Sequence, residues 1–378
     1  MDAETTSQNV SEKSEVDSIL LSSRSLYQHD LLLVLLKDKL HRSTLWIVAG
    51  GFGLGVLFSF FYSLIFLSNY QPTVSIGVVF VGLLLAIAAI FNLLIYLVLP
   101  ASMASVFNTL RANGVIGPSR QERLGAMSYA RFLEHMITWE HSRWWSIAIV
   151  LLSILNCLYT IFIAYPQFLH LPPLFLLVSF GTVFLPFVYI YLFVFLRLIL
   201  LMVFLNRLFF LFSIRVRPLH PDGSGGLATL SQTLWMSAAF LLVTALAFVV
   251  VPGLSLSFSP VAIIVETLFY LALITALASA WLALPHHVML QARNEHLQSL
   301  ADEYERVLME TMPAADEATV QIVAGIERLS ALKQRYELVR DTFPTWPLQV
   351  VEMRRFALAL LLPALISLLP ALFNVFTK

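Results

Sequence analysis

Charge is what this sequence has least of. Asp, Glu, Lys and Arg make up 12% of its 378 residues, and the two signs balance at 23 each. An ordinary soluble domain carries about 25% charged residues. With 59% hydrophobic residues and a mean hydropathy of +0.82, a soluble globule is excluded, and repeated apolar runs of about 20 residues point to the bilayer as solvent. Zero net charge removes any global field that would draw in nucleic acid, so no nucleic-acid partner is expected. Cysteine is almost absent: Cys157 stands alone, which excludes an intrachain disulfide and a Cys-based metal site. The polar, acidic stretch 1–17 lacks a basic segment followed by an apolar core, so the first span is expected to serve as an uncleaved insertion signal. Missing too are Gly-x-Ser-x-Gly, His-Glu-x-x-His, a Ser-Lys pairing and paired intramembrane aspartates. An enzyme is therefore the last-ranked expectation, and no cofactor is expected.

What is present is a series of apolar runs with punctuated loops. Residues 1–16 read as a disordered tail rich in Ser, Glu and Thr. Across 17–42, apolar Leu31, Leu32, Val34 and Leu35 alternate with Asp30, Lys37 and Asp38. That pattern suits an amphipathic helix, either on the membrane surface or packed on the cytosolic face of a bundle. Residues 45–285 read as a six-span membrane domain, with spans near 45–68, 76–99, 145–165, 174–214, 227–251 and 261–284. Gly50, Gly51, Gly53 and Gly55 imitate a dinucleotide fingerprint, but no strand precedes them, and close helix packing is the better reading. The run 174–214 is twice as long as a span requires. We read it as one helix kinked near Pro186, because no turn residues divide it.

Between the second and third spans, 101–143 forms a polar excursion with a breaker at 114–118 and a helix leading to Trp139. After the sixth span, Leu290, Leu297, Leu300, Tyr304 and Val307 recur at three- and four-residue spacings, as do Leu329, Leu332, Tyr336, Val339 and Phe343. This predicts a helical hairpin of coiled-coil type over 286–345. The apolar run 355–376 is read as a seventh span, with a re-entrant segment as its alternative. The fold class expected is thus all-α: a polytopic helical membrane protein of about seven transmembrane helices, three hairpins plus one, with a cytosolic helical hairpin.

Orientation comes from the basic residues. The loops 69–75, 166–173 and 252–260 contain no Lys or Arg, whereas both long excursions are rich in them. The positive-inside rule then puts the N-terminus and both excursions in the cytoplasm and the C-terminus outside. All seven tryptophans fall on the cytoplasmic side, where an aromatic belt would lie.

Two groups of residues are candidates for chemistry. Glu266 is the one acid inside a span, and with Asn92 and Asn156 it could line an ion path, since intramembrane carboxylates are costly. A protonated structural group is its bland alternative. The loop 215–226 concentrates Arg215, Arg217, His220, Asp222 and a glycine cluster. A turn with Asp222 or Ser224 capping the next helix is the leading interpretation of it. Its alternatives are an anion or headgroup contact through Arg215 and Arg217, and a metal held by His220, Asp222, His286 and His287. Glu134, His135, Glu140 and His141 gather on the same face.

The stretch His220-Pro221-Asp222-Gly223-Ser224-Gly225-Gly226-Leu227 resembles a His-Pro-Asp-x-x-Gly-Gly-Leu loop of bacterial multi-pass membrane proteins. The excursion after the sixth span and the Pro344-Thr345-Trp346-Pro347 return are compatible with that resemblance, which covers a minor part of the chain. It implies an inner-membrane location and no activity. The leading functional expectation is a channel or transporter for ions or small solutes. The alternative is a membrane sensor or assembly protein, meeting a protein partner or a second copy of itself through 286–345.

Overall fold

The computed structural model describes residues 20–39, 43, 46–47, 49–51, 53, 75–119, 127–159, 181, 184–216, 225–246, 260–311, 319–343, 345, 354–355, 357–358 and 361. The described residues are helical apart from one short strand pairing. Seven helices form the body: α1 (Ser75–Ala112), α2 (Tyr129–Glu140), α3 (Arg143–Tyr159), α4 (Leu185–Leu211), α5 (Ala228–Ala245), α6 (Pro260–Thr311) and α7 (Thr319–Thr342). Among the described residues, four stretches are long and apolar enough to cross a membrane: Leu83–Ala112, Tyr129–Tyr159, Leu185–Leu211 and Ala228–Ala245. The first-span residues 54–68, the tail 1–16 and most of 355–376 lie outside the described residues.

α1 does not stop at Pro100, where the second span was expected to end. A proline in a helix removes one backbone hydrogen bond, but here the apolar face simply continues. Met103, Val106, Phe107 and Leu110 are all buried, at the three- and four-residue spacing of one helix face. Packing on that face outweighs the lost bond.

Residues 174–180 and 182–183 lie outside the described residues, and α4 carries Pro186 in its first turn, which follows Phe184 in helical conformation. It ends at Leu211, and β2 (Phe212–Ile214) pairs antiparallel with β1 (Ile116–Ser119), with an irregularity between the two aligned pairs. Arg215 extends the pairing by donating its N–H to the Val115 carbonyl at 2.8 Å. The supposed breaker at 114–118 is thus a turn, with Gly114 at φ 64°, leading into a strand. A Cβ on Gly117 would run into the Ser213 side chain, so the two strands meet this closely only with glycine there.

The core lies where α1, α2, α4 and α5 converge, and its ring cluster centres on Phe132, with Phe107, Tyr129, Phe204 and Phe212 around it. α3 touches this body along a single stripe, Ile149, Ser153 and Cys157. The rest of its apolar surface, including Leu151, Leu152 and Leu155, is exposed. A helix apolar on all sides yet buried along one line suits lipid better than water. The described part of the first span behaves similarly. Gly51 lies against α1, where a Cβ would come within 2.7 Å of Leu93 Cδ2, while Gly50 and Gly53 face open space.

α6 runs without a break past Pro285 into the charged excursion. There it packs on α7 in antiparallel sense: Arg293 donates to the Arg340 carbonyl at 2.6 Å and Arg328 meets Glu303 at 3.7 Å. Numbers rise along one helix as they fall along the other. Val307, Leu332 and Phe343 are buried between the helices, three of the positions that the heptad-like spacing singles out.

Candidate functional site

Over the described part of 17–42 there is no continuous amphipathic helix. A 3-10 turn, Arg24–Leu26, is followed by one α-turn, Leu31–Leu33, and a wider π-turn, Val34–Lys39. Leu21, Leu26 and Leu33 enter the core, so the segment lies folded on the helix ends. The reason for the break is Asp30. Its Oδ1 accepts the N–H groups of Leu32 and Leu33, each at 3.2 Å, which is helix-capping behaviour that starts a new turn.

That same carboxylate enters a buried charge cluster. Arg197, on the inward face of α4, has 1% of its side chain exposed. Its Nη2 sits 3.2 Å from Asp30 Oδ2, and its Nε donates to Glu140 Oε1 at 3.0 Å. Asp30 and Glu140 are 1% and 4% exposed. Nη2 also reaches the Leu26 carbonyl at 3.4 Å. The guanidinium lies over Phe193 (4.6 Å to the ring centre) and Tyr96 (5.7 Å). Tyr96 donates its phenol proton to Asp30 Oδ1 at 2.5 Å.

Helix periodicity explains how these groups meet. In α2, the buried residues Tyr129, Phe132, Leu133 and Met136 trace one face, and Glu140, four residues beyond Met136, falls on it. In α4, Arg197 stands one turn after Phe193 and one before Leu201, both buried. One cation therefore ties three parts of the chain together: the N-terminal segment, the end of α2 and the middle of α4. Burying such a group is costly unless it is paired and hydrogen-bonded.

Lys37 completes the surroundings. Its ammonium donates to the Leu97 carbonyl at 2.7 Å and lies 5.3 Å from the Tyr27 ring centre. Burial first, then the nearby Arg197 charge, pulls it below the ordinary lysine range. Toward solvent, His29 and His141 lie with ring centres 4.3 Å apart, and His141 Nε2 meets the Ser25 carbonyl.

The phenol of Tyr96 gives a direct test. Tyr96→Phe keeps the ring over Arg197 and removes one charge-assisted donor from a buried carboxylate. A loss of about 1.5–3 kcal/mol in unfolding stability is expected, read from thermal unfolding in detergent. An unchanged midpoint would mean that Asp30 does not depend on this donor.

The described ones among the sequence-predicted residues do not converge. Asn92 is fully buried on α1 and donates weakly to the Phe187 carbonyl at 3.5 Å. Asn156 is on the exposed side of α3. Glu266 lies on α6, with its side chain outside the described set. Arg215 exposes its side chain and uses its backbone in the strand pairing. Arg217, His220 and Asp222 lie outside the described residues. Gly225 and Gly226 do supply positive φ, 67° and 93°. The position that caps α5 is held by Leu227, with no side-chain hydrogen bond, and Ser224, like Asp222, lies outside the described residues. His286 turns its Nδ1 to the Thr345 carbonyl at 2.7 Å, and His287 follows it on the exposed side of α6. Among the described residues, no three His, Cys, Asp or Glu side chains are grouped to hold a metal.

The cluster itself was missed, although a signal for it existed. Arg197 is an arginine in the middle of an apolar run, and such a group requires an acid. Glu140 falls on the apolar face of an amphipathic helix. The chain matches no protein-family model, no curated protein and no solved structure.

Proposed function

We propose that this chain is a seven-span protein of a bacterial inner membrane. In this reading its N-terminus, α2 and the α6–α7 pair are cytoplasmic, its C-terminus lies outside, and it acts as a sensor or assembly protein through that pair. The observation that carries the reading is the continuity of α6. One helix joins its apolar half to its charged half through Pro285 and packs on α7. Any tilt or rotation of the span is therefore passed to the α6–α7 pair as a rigid movement. The outward side of the pair carries exposed Met309, Val323, Ile326 and Leu338, apolar groups suited to a second copy of the chain.

Conduction draws less support. Asn92 is buried on α1 whereas Asn156 is on the exposed side of α3, and the recess between α4, α5 and α6 is lined by apolar Met202, Leu205, Phe209, Leu230, Leu234 and Trp281.

The test is to delete residues 290–342 and measure particle mass in detergent. Ile326→Cys on a Cys157→Ala background adds a cross-linking readout. The expected result is an oligomer for the full chain, cross-linked through position 326, and a monomer for the deletion. Unchanged mass, together with ion flux in liposomes that Glu266→Gln abolishes, would replace this reading with conduction.

A further inference from the structure

We infer that the Asp30–Arg197–Glu140 cluster is a binding site for one proton, carried by Glu140, and that this proton holds the N-terminal segment on the helix ends. The inference is independent of what the α6–α7 pair binds. It begins with the charge balance. Two carboxylates face one guanidinium in a site closed by Tyr96, Phe193 and Leu26. With all three ionised the cluster has one negative charge in excess, and burying an uncompensated charge is strongly unfavourable. One proton makes it neutral.

Hydrogen bonding decides which acid takes it. Asp30 Oδ1 accepts from Tyr96 and from two backbone N–H groups, while Oδ2 lies 3.2 Å from Arg197 Nη2 as an ion pair without a hydrogen bond among the described residues. Four donors or charges thus favour its ionised form. Glu140 receives one bond, from Arg197 Nε to Oε1. Its Oε2 is fully buried and has no hydrogen-bond partner among the described residues. Both acids have one bare oxygen, but with one hydrogen bond against three, Glu140 is where the proton is least costly to place.

Among the described residues, the ionisable groups around the site have other partners. Lys37, on the N-terminal segment, directs its ammonium to the Leu97 carbonyl. Tyr96 of α1 is committed to Asp30. Tyr189 of α4 packs on Phe193. Arg24, Tyr27 and Asp38 bond to one another at the outer edge. Among the described residues, His29 and His141 form the solvent-side pair, and burial holds His141 below the ordinary histidine range.

Linkage gives the sign. The docked segment binds a proton that the undocked one, whose Glu140 is an ordinary solvated acid, does not. Docking therefore weakens as pH rises. Above the free glutamic acid value of about 4.3, undocking grows about tenfold per pH unit, and it levels off once the docked site itself loses the proton.

The experiment labels buried Leu26 as Leu26→Cys on a Cys157→Ala background, with exposed Gln28→Cys as the reference for intrinsic thiol reactivity. The labelling ratio of the two is expected to rise about tenfold per pH unit from about pH 5 and then level off. Glu140→Gln, the neutral isostere of the protonated acid, should make the ratio flat. Infrared spectra of the unlabelled protein add a second measurement: the carboxylic-acid carbonyl band present at neutral pH should be lost in Glu140→Gln. An unchanged pH profile in Glu140→Gln overturns the assignment, as does a band that Glu140→Gln leaves intact. So does a profile that disappears in His141→Gln but persists in Glu140→Gln, which would give the proton to the histidine pair.

Discussion

Arg197→Met is expected to lower stability by about 3–5 kcal/mol, the cost of breaking a buried ion pair from one side. The substitution keeps much of the side chain's volume against Phe193 and Tyr96 and removes the cation on which Asp30 and Glu140 both depend. The Asp30 carboxylate is then left buried without a cation beside the protonated Glu140, and the N-terminal segment should come away from the helix ends. Limited proteolysis within 20–39 and thermal unfolding in detergent would register the two effects. Arg197→Lys should be intermediate, because an ammonium is a compact point charge that cannot donate along two fixed directions as Nε and Nη2 do. The decisive comparison is Arg197→Met combined with Asp30→Asn and Glu140→Gln. If charge is the cause, the triple variant regains most of the loss. A single variant within about 0.5 kcal/mol of the parent would show that the cluster does not contribute to stability.

Phe132→Ala should have an effect of similar size, about 3–5 kcal/mol, for a different reason: the lost ring leaves a cavity. Phe132 is 1% exposed. Its ring centre lies 5.9 Å from that of Phe212, 6.3 Å from those of Phe107 and Phe204, and 6.4 Å from that of Tyr129. These rings come from α1, α2, α4 and β2, so their removal loosens the attachment of α2, which carries Glu140. Increased proteolysis in 20–39 is expected as a second consequence, without any change in the charges themselves. Phe132→Leu should cost clearly less. A loss below about 1 kcal/mol would mean that the neighbouring rings collapse into the vacated space.

The apolar runs made the helices legible. The residues expected to span at 76–99, 227–251 and 261–284 fall within or overlap α1, α5 and α6. Of the positions that the spacing singles out, Val307, Leu332 and Phe343 are buried. Pro100 and Pro285 read as helix ends because a proline's local cost is visible in sequence, while the burial that outweighs it is not. The β1–β2 pairing was hidden because it joins segments nearly a hundred residues apart, and one of them contains Gly117-Pro118, a turn signal. The charge cluster was hidden by position. Depth along the helix axes separates Arg197 from Glu266, but it gives no information about acids that arrive from segments outside the apolar runs. Asp30 and Glu140 arrive in that way, the first through a broken helix and the second at a helix end.

The cluster also imposes an order on synthesis. Asp30 and Glu140 leave the ribosome before the cation that both require, and at about 5–20 residues per second Arg197 follows Asp30 by about ten to thirty seconds. During that interval the N-terminal segment has no place to dock. Leu21, Leu26 and Leu33 remain exposed to whatever else binds apolar chain. Closure becomes available when the helix carrying Arg197 is in place, so a chain interrupted before that point should keep residues 20–39 loose and open to proteolysis. The arginine is thus a late partner for residues made long before it.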